Sequence, residues 1–166
     1  MLKHKILLGL EAIGLLVFGL NIHFLQVNAS ELDEDTRTVK LDSDEKNVIL
    51  TVEQVKRGKR LFNNACAACH VGGATKPNPN VGLDVESLNL AKPSRDNITN
   101  LVMYLNDPMS YDGTNSIAEI HPNTKNADIF PKMRSLTEED LLSIAGYILI
   151  QPKVVNERWG GGKIYY

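Results

Sequence analysis

Apolar positions recur with a helical period over three stretches of this chain. In the first, Val52, Val55, Leu61, Phe62 and Ala65 fall roughly on one face. Thr51 and Gln54 have the spacing of a capping box, which starts a helix after Thr51. Gly58 lies on or near that face, where glycine costs about 1 kcal/mol relative to alanine. The close approach of a second helix is the simplest compensation. The second stretch runs from Asp96 to Asn106, with Ile98, Leu101, Val102 and Leu105 as its stripe and Pro108 beyond its end. The third is the clearest. Thr137 and Asp140 cap it, Leu141, Ile144, Ala145, Ile148 and Leu149 form its buried face, and Pro152 is expected to stop it.

Elsewhere the pattern changes. "TVKLDSDEKNVILT" alternates apolar and polar residues on both sides of a charged turn. It predicts a hairpin with Val39 and Leu41 opposite Val48 and Leu50. Residues 30–37 are acidic and polar and read as an exposed arm. From Gly72 to Pro93, glycines and prolines predict a loop, with a turn or two of helix from Leu83 to Leu90. "SIAEIHPN" predicts a short helical turn ended by Pro122. The expected fold is mainly α with one small amino-terminal β-hairpin.

The first residues stand apart. Lys3 and Lys5 precede an apolar block from Ala12 to Leu20, and Val27-Asn28-Ala29 follows. This is the layout of an export signal cleaved after residue 29, leaving one domain over 30–166. Glu11, Asn21 and His23 interrupt the run, which argues against a retained membrane span. Without this segment, His70 and His121 are the only histidines. The full chain carries net charge −2, and no basic patch offers itself to nucleic acid or anionic lipid.

Both cysteines of the chain lie in "NNACAACHVGG", at Cys66 and Cys69, with His70 next. A redox Cys-x-x-Cys normally opens a helix after a strand, where the helix terminus lowers a thiol pKa; this pair follows a helix. A Cys₂His₂ zinc site normally brings its histidines a few residues apart, and His121 is far from His70. Cys-x-x-Cys-His is the signature of covalent c-type haem attachment. Two thiols on one helical turn can meet two vinyl groups of one porphyrin, and His70 can then address the iron. A large macrocycle would also supply core to a short chain with long loops. Candidates for the opposite side of the iron are Met103, Met109, Met133 and His121. "FPKMRSLTEEDLLSIAGYIL" resembles the region of small c-type cytochromes where a methionine ligand precedes the last helix.

Over essentially its whole length the chain resembles cytochrome c-550, the extrinsic c-type cytochrome family of photosystem II in cyanobacteria and some algal plastids. The resemblance lies in "CAACHVGG", "PSRDNI", "YDG", "AEIHP", "ADIFPKMR", the last helix and "WGGGKIYY". It implies a cytochrome c-like helical domain around one haem c. It implies thioethers on Cys66 and Cys69, axial ligands His70 and His121, and Met133 as a pocket residue. It implies no catalytic residue. The implied role is docking in the thylakoid lumen on the photosystem II core and other extrinsic subunits, shielding the oxygen-evolving cluster and helping it keep calcium and chloride. The tail from Trp159 to Tyr166 and the acidic arm are the expected docking elements. A diffusible lumenal or periplasmic electron carrier is the alternative, and a haem peroxidase would need His121 off the iron.

Overall fold

The computed structural model describes residues 32–44 and 46–160. The expected export signal, and the last six residues of the expected docking tail, lie outside them. The order is α1 (Glu34–Arg37), β1 (Thr38–Lys40), β2 (Asn47–Ile49), α2 (Val52–Ala65), α3 (Val85–Leu90), α4 (Ile98–Asn106) and α5 (Glu138–Val155), with 3-10 turns at Val71–Gly73, Pro131–Met133 and Asn156–Arg158. Among the described residues, no helix is long and apolar enough to cross a membrane.

Helix α2 starts where its cap predicts. Thr51 Oγ1 accepts from the Gln54 N–H at 3.1 Å, and Gln54 Oε1 accepts from the Thr51 N–H at 2.8 Å. Gly58 faces α5. A Cβ built on it would lie 2.0 Å from the Ser143 carbonyl oxygen and 2.8 Å from Tyr147 Cβ. The glycine therefore sets the closest approach of the two helices. The Arg57 Nε–H donates to Asp140 Oδ1 at 2.7 Å one residue away along α2. That bond, ahead of the Thr137 cap contacts, holds the Asp140 carboxyl below the usual carboxylate range, against the effect of burial. Gly58→Ala should cost about 3 kcal/mol by overpacking, outweighing the roughly 1 kcal/mol that alanine gains in helix propensity. Urea unfolding of the haem-loaded protein checks this; unchanged stability would mean the helices do not touch there.

Three sequence expectations need correction. Val39 does pair with Val48, but the ladder holds only Thr38–Ile49, Val39–Val48 and Lys40–Asn47. Leu50 leaves the ladder and is buried against Gly146 of α5. The amino-terminal arm forms the α1 turn, capped by Asp33, and the Arg37 guanidinium ties it down on the Leu32 and Leu50 carbonyls. Asp33, Glu34 and Asp35 of that arm remain exposed. Pro152 sits inside α5, three residues before its end. One missing N–H is tolerated because the following turn is anchored: Lys153 Nζ donates to the Asp35 and Thr38 carbonyls at 2.8 and 2.6 Å.

Helix α4 begins at Ile98, two residues later than expected, with Asn97 as its cap. Asp96 is engaged instead by Lys40 Nζ at 3.0 Å and by the Ser94 hydroxyl at 2.7 Å. The core lies between α2, α4 and α5, with Phe62, Leu101, Leu105, Met133, Ile144 and Ile148 at its centre. Trp159 closes one end, with its ring centroid 5.6 Å from Phe62 and 6.0 Å from Tyr147.

Candidate haem site

The last residue of α2 is Ala65, and Cys66 to His70 continue as a tight turn. The Cys69 and His70 N–H groups both donate to the Cys66 carbonyl, at 3.1 and 2.9 Å. This turn puts both cysteines and His70 on the wall of a cavity of about 420 Å³. That size is within the range of small-molecule and cofactor sites. The loop that followed no period in the sequence supplies much of the wall, through Thr75, Pro77, Asn78, Val81, Gly82 and Leu83. Phe62, Leu101, Leu105 and Ile148 bring the apolar core up to it.

Burial pushes the Cys66 thiol up to about 12, with Cys69 adding to the rise and Lys132 opposing it. A thiol held protonated in this way is the opposite of a reactive redox thiolate. Among the described residues, no three histidine, cysteine or acidic side chains converge as a metal-holding group.

The turn that ends at Pro122 delivers His121 to the same cavity. The His121 N–H donates to the Ile117 carbonyl at 2.9 Å. Asn123, with no exposed surface, donates through Nδ2 to the carbonyls of Ala118 and His121, both at 2.7 Å. Its Oδ1 accepts from the Asn126 N–H at 2.8 Å. The His121 ring is oriented as well: its Nδ1–H donates to the Pro122 carbonyl at 2.9 Å. A carbonyl can only accept, so the lone pair is on Nε2. His70 Nδ1 lies 3.1 Å from Thr75 Oγ1. Such partners on the remote nitrogen fix the tautomer of a metal-binding imidazole.

The two imidazoles face each other with ring centroids 6.1 Å apart and planes inclined by 57°. Two nitrogens each about 2 Å from one metal would put the ring centroids roughly 6 Å apart. Burial lowers the His70 pKa. Burial first, then His70 and the Arg95 charge, lower that of His121 to about 4, against the opposing effect of the Pro122 bond. Both rings are thus neutral near pH 7, the form that binds metal.

The methionine candidates separate on position. Met103 is 60% exposed and is not on the cavity wall. Met109 and Met133 both line the cavity, and Met133 is 2% exposed. Two wall residues, Arg95 and Tyr104, and one residue behind the wall, Asn123, were not singled out from the sequence. The Arg95 guanidinium carbon stands 3.9 Å above the Tyr104 ring, and Tyr104 presents to His121 an edge-on contact with centroids 4.9 Å apart. Asn123 braces the His121 turn. Arg95 belongs to "PSRDNI" and Asn123 follows His-Pro directly, so proximity to quoted motifs was their only sequence signal.

The donor set fits a haem: two neutral facing imidazoles, two thiols at one side and an apolar wall. Comparison with known proteins agrees. The family model described as the cytochrome c-550 domain matches residues 30–166. "Photosystem II extrinsic protein V" of Emiliania huxleyi is 67% identical over 165 residues, 99% of each chain. The protein of the same name from Porphyra purpurea is 70% identical over 140 residues, 84% of this chain and 86% of that one. Among solved structures, a cytochrome c549 crystal structure superposes with a TM-score of 0.77 at 49% identity, covering 78% of this chain and 100% of the other.

Proposed function

This chain belongs to the cytochrome c-550 family and carries its covalently bound c-type haem, and from that premise we propose that it is a low-potential, bis-histidine cytochrome docked on the lumenal side of photosystem II. In this reading Cys66 and Cys69 hold the haem by thioethers, and His70 and His121 take the two axial positions. When bound, the haem supplies a one-electron couple at its iron. The facing pair of imidazoles at 6.1 Å carries the reading. With His70 and His121 both holding the iron, no position would be left for a substrate, which supports a non-enzymatic role. Imidazole in place of methionine sulfur keeps the potential low. Met133 then packs as an apolar wall residue, a task its flexible thioether suits.

Docking is supported by relatives named as photosystem II extrinsic proteins, the more extensive match spanning 99% of each chain. The role that follows is to shield the oxygen-evolving cluster and help it retain calcium and chloride, beside the other extrinsic subunits. The docking elements need revision. Trp159 is buried in its own core, and the Gly160 N–H donates to the Gly72 carbonyl at 2.9 Å. Gly160 has φ +96°, and a Cβ on it would lie 2.4 Å from Asp84 Cβ. That glycine serves an intramolecular approach. The docking elements proposed are therefore residues 161–166 and the exposed acids of α1. Deleting 161–166 should leave the haem spectrum unchanged and weaken rebinding to salt-washed photosystem II by roughly tenfold, about 1.4 kcal/mol. The calcium and chloride required for oxygen evolution should rise with it. Full rebinding and full activity by the truncated chain would remove the tail from the interface.

A further inference from the structure

Arg95 is 8% exposed, yet no acidic side chain among the described residues pairs with it. Its Nη2 donates to the carbonyls of Met109 and Ser110, both at 2.9 Å. Nε and Nη1 make no hydrogen bond among the described residues. The side chain lines the haem cavity and is the only Asp, Glu, Lys or Arg that does so among the described residues. Burial lowers its pKa, and only the rings of Tyr104 and Tyr111 oppose that. A buried charge left in this state is costly unless an anion completes it. An apolar cavity with one unpaired cation on its wall selects a ligand that is mostly apolar and carries an anionic group.

Resting on the cytochrome reading above, we infer that the free edge of the Arg95 guanidinium pairs with a carboxylate side arm of the haem. The fork geometry of guanidinium suits a carboxylate, and the two carbonyl bonds and the Tyr104 ring fix the plane in which it is presented. Arg95 is thus a positioning residue: it sets how one edge of the macrocycle sits and offsets a negative charge near the iron. Removing that positive charge favours the ferric state, so the reduction potential falls. The Tyr104 ring between Arg95 and His121 places the same charge beside the second imidazole.

The test uses haem-loaded wild type, Arg95→Gln and Arg95→Lys. Wild-type protein without covalent haem removes the cytochrome reading itself, and this is seen before any variant is measured. With haem present, resonance Raman reads the bending mode of the haem carboxylate arms, and redox titration at a pH where those arms are ionised reads the potential. Arg95→Gln should shift the band and lower the potential. Arg95→Lys, which keeps the charge and loses the fork, should shift the band while restoring most of the potential. If Arg95→Gln loads haem and keeps both the wild-type band and potential, the guanidinium only braces the Met109 and Ser110 carbonyls and the inference is overturned. If Arg95→Gln does not accumulate with haem, Arg95→Lys decides: a shifted band supports the pairing and an unshifted band rejects it.

Discussion

His121→Met will keep its haem on the polypeptide and raise the reduction potential by on the order of a few tenths of a volt, within the roughly 0.8 V that axial ligation spans. Attachment is retained because it is proposed at Cys66 and Cys69, which belong to the turn after α2. The turn that carries residue 121 is built from the other side of the cavity and braced by Asn123. The potential rises because thioether sulfur favours the ferrous state more than imidazole does. Methionine is long enough to reach the space that the His121 ring occupies, and its flexibility tolerates the Tyr104 edge. Redox titration and the visible spectrum of the variant read the result. Identical values in variant and wild type would make His121 a wall residue and pass the ligand role to Met133 or Met109, the two methionines on the wall.

The double variant Cys66→Ala, Cys69→Ala should lose the most. Without thioethers, acidified acetone should draw all haem into the organic phase, whereas wild-type haem stays with the chain. The fold should suffer too. At about 24 cal/mol per Å³, a dry void of 420 Å³ would cost on the order of 10 kcal/mol. That is comparable with the whole stability of a typical domain. Water entering the space softens the figure but wets an apolar wall that includes Phe62, Leu101 and Ile148. The variant should therefore show weak near-ultraviolet dichroism and fast proteolysis. Retention of haem on the denatured double variant would disprove attachment at these cysteines.

How much was readable in advance follows from how local each signal is. The Thr51 and Thr137 caps act within four residues, and both boxes form. Gly58 was readable as a helix contact because its cost in an isolated helix demanded a reason. The Cys66, Cys69 and His70 cluster was readable because one turn brings it together. His121 stood out through the scarcity of histidine and through the family resemblance, and its approach to His70 is a long-range event that no period announces. Arg95 and Asn123 were invisible as site residues for the same reason. An arginine in a polar segment looks solvated until α4, the Met109 turn and the cavity close around it. Pro152 and the Trp159–Gly160 segment were misjudged in one way: a local breaker was read as a helix end, and the start of a glycine run as a surface for a partner. In the fold, Lys153 anchors the turn after the proline, and Gly160 packs on Asp84 of the same chain.

The most direct test of the central claim is a low-temperature electron spin resonance spectrum of the oxidised, haem-loaded protein. Two imidazoles on one iron predict a single low-spin ferric signal of the bis-histidine type, lost or altered in His121→Met. A histidine–methionine signal in the wild type, or a high-spin signal from an iron with an open face, would contradict the assignment of His70 and His121 as its axial pair.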